Sequence, residues 1–395
     1  MKQKISFILV LCLFVTGSVS AQFSEDVQIS VLTCGEGSEL FESFGHTAIR
    51  ICDTAQGIDI VFNYGIFDFS TSFFYLKFAQ GQLSYMLAAS SFEGFMNEYS
   101  YYGREVYEQI LDFSPQEKQT FCELITENYK PENRYYQYDF FNDNCATRVR
   151  DIVAKSLKDR SFPQSVNTVT EHSFRELFLP YTHNFLWWRL GIDIALGSVA
   201  DRKASIWDCM YLPNDLMKQL DTTILPPASS PLAKSKNLIL KETQIQSYPT
   251  VISPDVVFWC LFLLITLLTF AEWRYKKNFQ WLDMLLFLTV GLLALLVAYL
   301  WFISDHVATK GNWNLLWANP LFLYVLFRLR KTQPVVLYLL TICLSVFLLG
   351  FWFLPQHFNT AIIPVALALL IRVMRLIYNQ FENKKSPKLI QYQGQ

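Results

Sequence analysis

Cys145 and His46 are the residues of this sequence whose types and positions best suit nucleophilic chemistry. Cys145 lies in FNDNCATRVRD, where an extended aromatic run ends and either Asp143 or Asn144 can cap a helix that begins at Cys145. A thiol in the first turn of a helix faces unpaired backbone N–H groups and the positive end of the helix dipole, which lower its pKa and can stabilise an oxyanion. Arg148, one turn along, adds positive charge. The pattern therefore favours a reactive thiolate at Cys145.

A cysteine nucleophile needs a base to accept its proton, and residues 22–254 contain His46, His172 and His183. His46 follows Gly45 in SFGHTAIRI, at the start of a predicted strand, and is the best candidate for this base. The other two histidines lie in a helical, aromatic-rich stretch and are predicted to be structural.

A third group has to orient the imidazole and fix its tautomer. Asn63, in VFNYG on the next predicted strand, can do so through its amide carbonyl, and Asp68 and Glu42 compete for the same role. Asn144 and Arg148, beside the thiol, are expected to support the site.

Other interpretations of Cys145 stay open. A cysteine near the start of a helix is a small buried hydrophobe in most proteins, and a histidine beside a glycine can simply satisfy a turn. A bridge to Cys122 or Cys34 would make Cys145 half of a disulfide. The region expected to be exported, residues 22–254, holds an odd number of cysteines, so at least one thiol stays free: Cys34, Cys52, Cys122, Cys145 and Cys209. No Cys/His spacing indicates a zinc site.

The elements that carry these residues indicate an α+β domain, with strands first and helices after. Alternating apolar residues between turn glycines predict strands at residues 27–32, 46–52, 58–63 and 105–113. Ser114 as N-cap, Pro115 at N1 and Glu117 at N3 then predict a helix to residue 129. A second helical region is expected at residues 171–222.

The N-terminus reads as a secretory signal peptide, residues 1–21. Lys2 and Lys4 precede a short apolar core, and Val19 and Ala21 fit the −3 and −1 positions of a cleavage site. Residues 22–224 are then the exported thiol domain, and the Pro/Ser/Lys-rich stretch that begins residues 225–254 predicts a linker.

Apolar stretches in residues 255–377 predict an all-α membrane domain of about five transmembrane helices. They lie at residues 255–271, 281–302, 315–329, 335–354 and 360–377. Lys and Arg are concentrated in alternate loops and after the last stretch. This bias predicts a multi-pass protein of the inner membrane, with the tail, residues 378–395, in the cytoplasm and residues 22–254 in the periplasm. The formal net charge of −1 gives no indication of a nucleic-acid partner.

Polar residues stand out in the loops expected on the periplasmic side: Asp305 and His306 after the second stretch, and Asn314 and Asn319 at the third. Polar groups at membrane depth are often functional, so these residues are candidates for contact with a lipid headgroup or substrate. The alternative is an interfacial tryptophan belt with capping asparagines and a proline kink.

The segments ESFGHTAIRI, VFNYGIFDF, FNDNCATRVRD and NWNLLWANP together resemble the Lnb-type lipoprotein N-acyltransferases of Gram-negative envelopes, over nearly all of residues 22–377. The order of histidine, polar residue and then Asn-Cys opening a helix is also similar to the permuted papain-like superfamily of NlpC/P60 relatives. The resemblance implies a permuted papain-like periplasmic domain followed by a transmembrane domain. It also implies Cys145 as nucleophile, His46 as base and Asn63 as orienting residue.

The reaction that this resemblance implies moves an acyl chain from a phospholipid to Cys145 as a thioester, and then to the N-terminal amine of a diacylglyceryl lipoprotein. No metal and no diffusible cofactor are needed for it. The main alternative enzyme is a cysteine hydrolase that cuts peptidoglycan peptides or lipid esters. A non-catalytic membrane sensor or assembly protein is the alternative from another class.

Overall fold

The computed structural model describes residues 23–67, 71–158, 160–225, 231–243, 251–329 and 332–392. The expected signal peptide, residues 1–21, and the competing carboxylate Asp68 lie outside the described residues.

The N-terminal domain is built on one antiparallel sheet of seven strands. The strands of the domain are β1 (Gln28–Cys34), β2 (His46–Asp53), β3 (Ile58–Phe67), β4 (Ser84–Ser91), β5 (Val106–Leu111), β6 (Tyr135–Gln137), β7 (Val169–Ser173), β8 (Lys203–Ser205) and β9 (Ala233–Leu240). The order in the sheet is β6-β4-β3-β2-β1-β5-β9, while β7 and β8 pair separately. The four strands predicted from alternation are β1, β2, β3 and β5, within one to four residues at each end.

Helices cover both faces of this sheet. They are α1 (Phe74–Gln80), α2 (Phe92–Tyr101), α3 (Pro115–Tyr129), α4 (Cys145–Ser156), α5 (Phe174–Phe178), α6 (Leu186–Ala195), α7 (Ile206–Cys209) and α8 (Pro213–Thr222). Ile29 and Val31 of β1 belong to a core shared with α3, α4 and α8, whereas Leu32 belongs to a core shared with α2. Because β1 is covered on both sides, nearly all of its residues are buried. This is the α+β architecture that the sequence predicts.

Strand β9 falls in the stretch that composition assigns to the linker. It pairs with β5 and closes one edge of the sheet. Its lysines, Lys234 and Lys236, are typical of an edge strand, where charge discourages pairing with other chains. The same lysines made the segment look like a linker, because edge strands and linkers share this composition.

The C-terminal region is helical. Its helices are α9 (Pro254–Tyr275), α10 (Gln280–Phe302), α11 (Leu321–Phe327), α12 (Pro334–Gly350) and α13 (Ile362–Tyr392). Three segments of the described chain are long and apolar enough to cross a membrane: α9, α10 and residues Ile362–Glu382 of α13. Helix α12 is apolar but shorter. Helix α13 continues into the segment expected to be the tail.

The third predicted span, residues 315–329, is not one helix. It consists of a 3-10 turn, Trp313–Leu316, and the seven-residue α11. Asn319 and Pro320 separate them, and the Asn319 side chain accepts a hydrogen bond from the Leu321 N–H at 3.0 Å instead of allowing the helix to continue. The count of five spans therefore stays a prediction.

Side-chain amides join the two domains. The last carbonyls of a helix have no partner within it, and those of α6 accept from the amide of Asn312 at Ile194 (2.8 Å) and Ala195 (3.0 Å). Asn314 donates to the same Ile194 carbonyl at 3.1 Å, and Gln356 donates to Leu196 at 3.1 Å. Because these amides are buried, the N-terminal domain is held firmly on the ends of the apolar helices.

Candidate active site

Cys145, His46 and Asn63 line one cavity of about 660 Å³ between the N-terminal domain and the loop that follows α10. This volume lies in the range of small-molecule and lipid sites. The wall is mainly apolar and comes from both domains, including Phe44, Phe67, Phe78, Tyr85, Phe140 and Val307. The fold therefore brings together the three residues that the sequence selected.

Asn144 fixes the position of Cys145 at the start of α4. Its side-chain oxygen accepts from the N–H groups of Ala146 and Thr147, both at 2.9 Å, which makes it the N-cap. Its amide nitrogen donates to the carbonyls of Phe140 and Tyr211, both at 2.8 Å. Asn144 is buried, so these four bonds hold the helix start rigidly. Of the two caps that the sequence allows, the structure selects Asn144.

His46 and Asn63 meet because of the register between β2 and β3. Asn63 pairs with Ala48, so His46, two residues before Ala48, is a diagonal neighbour on the same face of the sheet. His46 Nε2 lies 3.2 Å from Asn63 Oδ1. A carbonyl oxygen only accepts, so this contact keeps the proton on Nε2 and leaves the lone pair on Nδ1. The arrangement matches the orienting contact expected for Asn63.

The thiol of Cys145 lies beside the start of β2. The backbone N–H groups of Thr47, Ala146 and Cys145 itself are within hydrogen-bonding reach of the sulfur. A Cβ placed on Gly65 of β3 would lie 3.9 Å from the Cys145 Cβ. The sulfur is thus next to the residue that follows His46, at the end of the sheet where the cavity opens.

The charge states of the two groups differ from the sequence prediction. Burial raises the pKa of the Cys145 thiol above its ordinary value, and the surrounding N–H groups offset this only in part. Burial also lowers the pKa of His46 to about 4, and the hydrogen bond that its Nε2–H donates to Asn63 offsets this lowering only in part. The predicted lowering of the thiol pKa was wrong because desolvation outweighs the helix terminus. At neutral pH the site holds a neutral thiol and a neutral imidazole.

Arg148 does not supply the expected positive charge to the thiol. Its guanidinium forms a bidentate ion pair with Asp143, with Nη2 at 2.6 Å from Oδ2, and lies over the Tyr136 ring at 4.0 Å. It is not part of the cavity wall. Its charge is neutralised locally, which helps to explain why burial dominates at Cys145.

The competing carboxylate Glu42 lines the cavity but is paired with another residue. Arg104 Nη1 donates to Glu42 Oε1 at 3.2 Å, and its Nε and Nη2 donate to the Gly35 carbonyl. His46 is held by Asn63 instead. Glu42 therefore contributes to the cavity through Arg104 rather than by orienting the imidazole.

The loop after α10 supplies the side of the cavity nearest the apolar helices. His306 and Thr309 line the cavity, whereas Asp305 binds the Gln82 amide at 2.8 Å. Asn314 and Asn319 lie outside the cavity wall: the first joins the domains and the second caps α11. In this structure both side chains bind other parts of the protein, and contact of either with lipid or substrate stays a prediction.

The remaining histidines and cysteines are not part of the cavity. His172 is exposed on β7, and His183 lies in an exposed turn, where its Nδ1 is 2.7 Å from the Pro180 carbonyl. Every cysteine in the described part of the chain has a free thiol, including Cys34 and Cys122. A disulfide to Cys145 is therefore absent from this structure.

Sequence reasoning missed the backbone of Thr47 and the side chain of Tyr138. Tyr138 lines the cavity and stacks on Tyr85 with ring centroids 4.6 Å apart. The glycine of VFNYG was a usable signal, because glycine inside a strand marks a close approach by another part of the chain. Gly65 has a φ of +91°, which favours glycine, and it lies beside Tyr138 and Cys145.

Two family models match the chain. One, described as the Lnb N-terminal periplasmic domain, matches residues 20–175. The other, described as the Lnb transmembrane domain, matches residues 245–384. Neither the curated proteins nor the solved structures include a significant match. With a periplasmic domain that carries the cavity and a transmembrane domain that closes it, this chain is a multi-pass membrane protein of the Lnb family.

Proposed function

We propose that this protein is a cysteine-dependent acyltransferase, which moves an acyl chain from a phospholipid to the N-terminal amine of a lipoprotein. The observation that carries the proposal is the shared cavity: Cys145, His46 and Asn63 line a space that is otherwise mostly apolar and reaches the loop after a membrane helix. Membership of the Lnb family is compatible with this activity. A thiol in an apolar cavity that reaches the end of a membrane helix is well placed to react with an acyl donor embedded in the bilayer.

In the first half of the reaction, Cys145 Sγ attacks the carbonyl carbon of a phospholipid ester while His46 accepts the thiol proton. The ester C–O bond then breaks, and the leaving alkoxide takes the proton from His46 to give a lysophospholipid. The acyl group stays on the sulfur as a thioester. Asn63 holds the imidazole in the tautomer that can accept this proton.

In the second half, the α-amine of a diacylglyceryl lipoprotein attacks the thioester carbonyl. An amide bond forms, the C–S bond breaks, and the proton lost by the amine returns through His46 to the sulfur. The N–H groups beside the sulfur are suited to stabilise negative charge as it develops in either half. No metal or diffusible cofactor enters either step.

The neutral resting pair suits this route. A thiol that ionises only as the imidazole takes its proton is protected from side reactions between turnovers. We propose that the protein lies in the inner membrane with its C-terminus in the cytoplasm, so that the thiol faces lipids and lipoproteins of the periplasmic leaflet.

The test is an acyl-transfer assay with purified protein, phospholipid vesicles and a diacylglyceryl lipopeptide with a free α-amine. Mass spectrometry follows the N-acyl lipopeptide and free fatty acid separately. We expect N-acyl product from the wild type and from Cys52→Ala, a control at another thiol, and none from Cys145→Ala. Free fatty acid without amide would indicate a hydrolase, and equal product from wild type and Cys145→Ala would refute the proposal.

A further inference from the structure

Helix α1 exposes large apolar side chains beside the cavity. Phe73, Tyr75, Leu76 and Phe78 are all exposed, Tyr75 by 82% and Leu76 by 53%. Contiguous apolar surface of this kind marks a site of interaction with a partner or a membrane. Phe73 also adopts a φ of 58°, a left-handed conformation that is uncommon for a bulky residue.

The position of α1 is fixed by the loop that follows α10. The Asp305 N–H donates to the Gln80 carbonyl at 2.7 Å, and the Gln82 amide donates to the Asp305 carboxylate at 2.8 Å. His306 Nε2 lies 2.8 Å from the Phe78 carbonyl. These three contacts hold both the end of α1 and the turn after it against the loop.

That loop begins where a membrane-crossing helix ends. Helix α10 is long and apolar enough to cross the bilayer and ends at Phe302. Phe302, Ile303 and Val307 are exposed apolar residues, so the apolar surface of α10 continues around Asp305 towards α1. Residues held a few positions beyond the end of a span lie at the depth of the lipid headgroups.

We infer that α1 is an interfacial membrane anchor, which inserts Phe73, Tyr75 and Leu76 into the leaflet on the side of the periplasmic domain. Aromatic and leucine side chains on a short helix with one lysine are suited to the boundary between headgroups and acyl chains. Phe78 lines the cavity as well, so lipid held by α1 lies at the edge of the site. The inference does not depend on acyl transfer, because it concerns only where α1 lies.

Photocrosslinking in lipid nanodiscs tests this placement directly. A benzophenone amino acid replaces Tyr75, and the bilayer contains an alkyne-tagged phosphatidylethanolamine that reports lipid adducts. Position 264 on α9, an exposed leucine of a membrane-crossing helix, is the positive control. Position 169 on β7, a valine exposed by 62%, is the negative control. We expect a lipid adduct at position 75 comparable with that at 264.

An adduct at position 75 no larger than that at 169 overturns the inference. So does a predominant protein adduct in native membranes, which would make α1 a docking surface for another protein. As a second measurement, Leu76→Asp in the position-75 background should lower the lipid adduct by about fivefold or more, because a carboxylate opposes insertion. Two control substitutions, Leu76→Trp and Val169→Asp, should leave the lipid adduct at position 75 unchanged. An undiminished lipid adduct in Leu76→Asp also overturns the inference.

Discussion

Gly197 lies where the periplasmic domain meets the loop that forms one wall of the cavity. A Cβ at this position would lie 1.9 Å from the Lys310 carbonyl oxygen and 2.9 Å from the Thr309 oxygen. The Gly197 backbone, at φ −90° and ψ −173°, is one that alanine can adopt, so the contact alone opposes substitution. An ordinary van der Waals contact is about 3.5 Å, so in Gly197→Ala the loop has to move by more than about 1 Å.

This displacement also breaks hydrogen bonds across the joint. The Gly197 N–H donates to the Ala308 carbonyl at 3.0 Å, and the Ser198 N–H donates to the Gly311 carbonyl at 3.1 Å. Overpacking costs about 1–3 kcal/mol and each lost bond about 1 kcal/mol, so we expect Gly197→Ala to destabilise the protein by roughly 3–5 kcal/mol. Because Ala308 lines the cavity, acyl transfer should fall as well.

Gly191 provides a matched control. It lies in α6, six residues before Gly197, and a Cβ there meets nothing within 4 Å. Thermal unfolding in detergent should show a melting temperature lower by on the order of 10 °C for Gly197→Ala, and unchanged or slightly raised for Gly191→Ala, since alanine favours a helix. If the two variants unfold at the same temperature, the close contact between Gly197 and the loop is wrong.

Three further predictions concern the site and the joint. The pKa of His46 is about 4, and the base must be neutral to accept a proton. Single-turnover release of lysophospholipid should therefore stay near its plateau down to pH 5.5. At that pH about 97% of a group with this pKa is neutral, compared with about 9% of an ordinary histidine. Asn63→Ala should slow this release about 100-fold. It should also move the acid limb of the pH profile to lower pH, because the hydrogen bond to Asn63 raises the pKa of His46 and its loss lowers that pKa. Asn314→Ala should cost about 2–3 kcal/mol in detergent unfolding, because it leaves the buried Trp317 N–H without its acceptor, whereas Asn319→Ala should cost less.

Each of these has a contrary result. An acid limb near pH 6.5 would show that His46 is not desolvated, with circular dichroism at each pH as the control for unfolding. An unchanged rate and pH profile in Asn63→Ala would remove Asn63 from any positioning role. Equal unfolding of Asn314→Ala and the wild type would mean that the amide joint is not what holds the domains together.

Local features of the fold could be predicted from the sequence because their causes are local. Ser114, Pro115 and Glu117 form the predicted capping box of α3, and α4 begins at Cys145 as expected. Strand β4, at residues 84–91, gave no usable signal, because its alternation is weak and its pairing with β3 is set by contacts distant in sequence. Strand β9 was missed because its lysines and its neighbouring Pro/Ser-rich residues suit a linker as well as an edge strand.

The candidate site was predictable in its members but not in its electrostatics. His46 and Asn63 share a face through strand register, which alternation indicates. The pKa of Cys145 depends on how much protein surrounds the sulfur, and that follows from the packing that brings Thr47 of β2 and Gly65 of β3 beside it. Arg148 was misjudged because its nearest carboxylate, Asp143, captures it.

For the polar residues near the membrane, the sequence identifies the residues but not their partners. The sequence context of Asn314 suits either contact with a lipid headgroup or substrate, or a place in an interfacial tryptophan belt with capping asparagines. In this structure the Asn314 amide binds the Ile194 carbonyl and the Trp317 indole, and Asn314 is not part of the cavity wall. An asparagine at membrane depth indicates that its amide makes an important contact, but the sequence does not identify the partner in that contact.

The most direct test of the central claim is to trap the acyl group on the thiol. The protein is incubated with phospholipid vesicles in the absence of any amine acceptor, and its intact mass is then measured. The account predicts a mass increase of one acyl chain, located on Cys145 by peptide mapping, removed by neutral hydroxylamine and absent from Cys145→Ala. N-acylation that proceeds in full while Cys145 never carries an acyl group would contradict it.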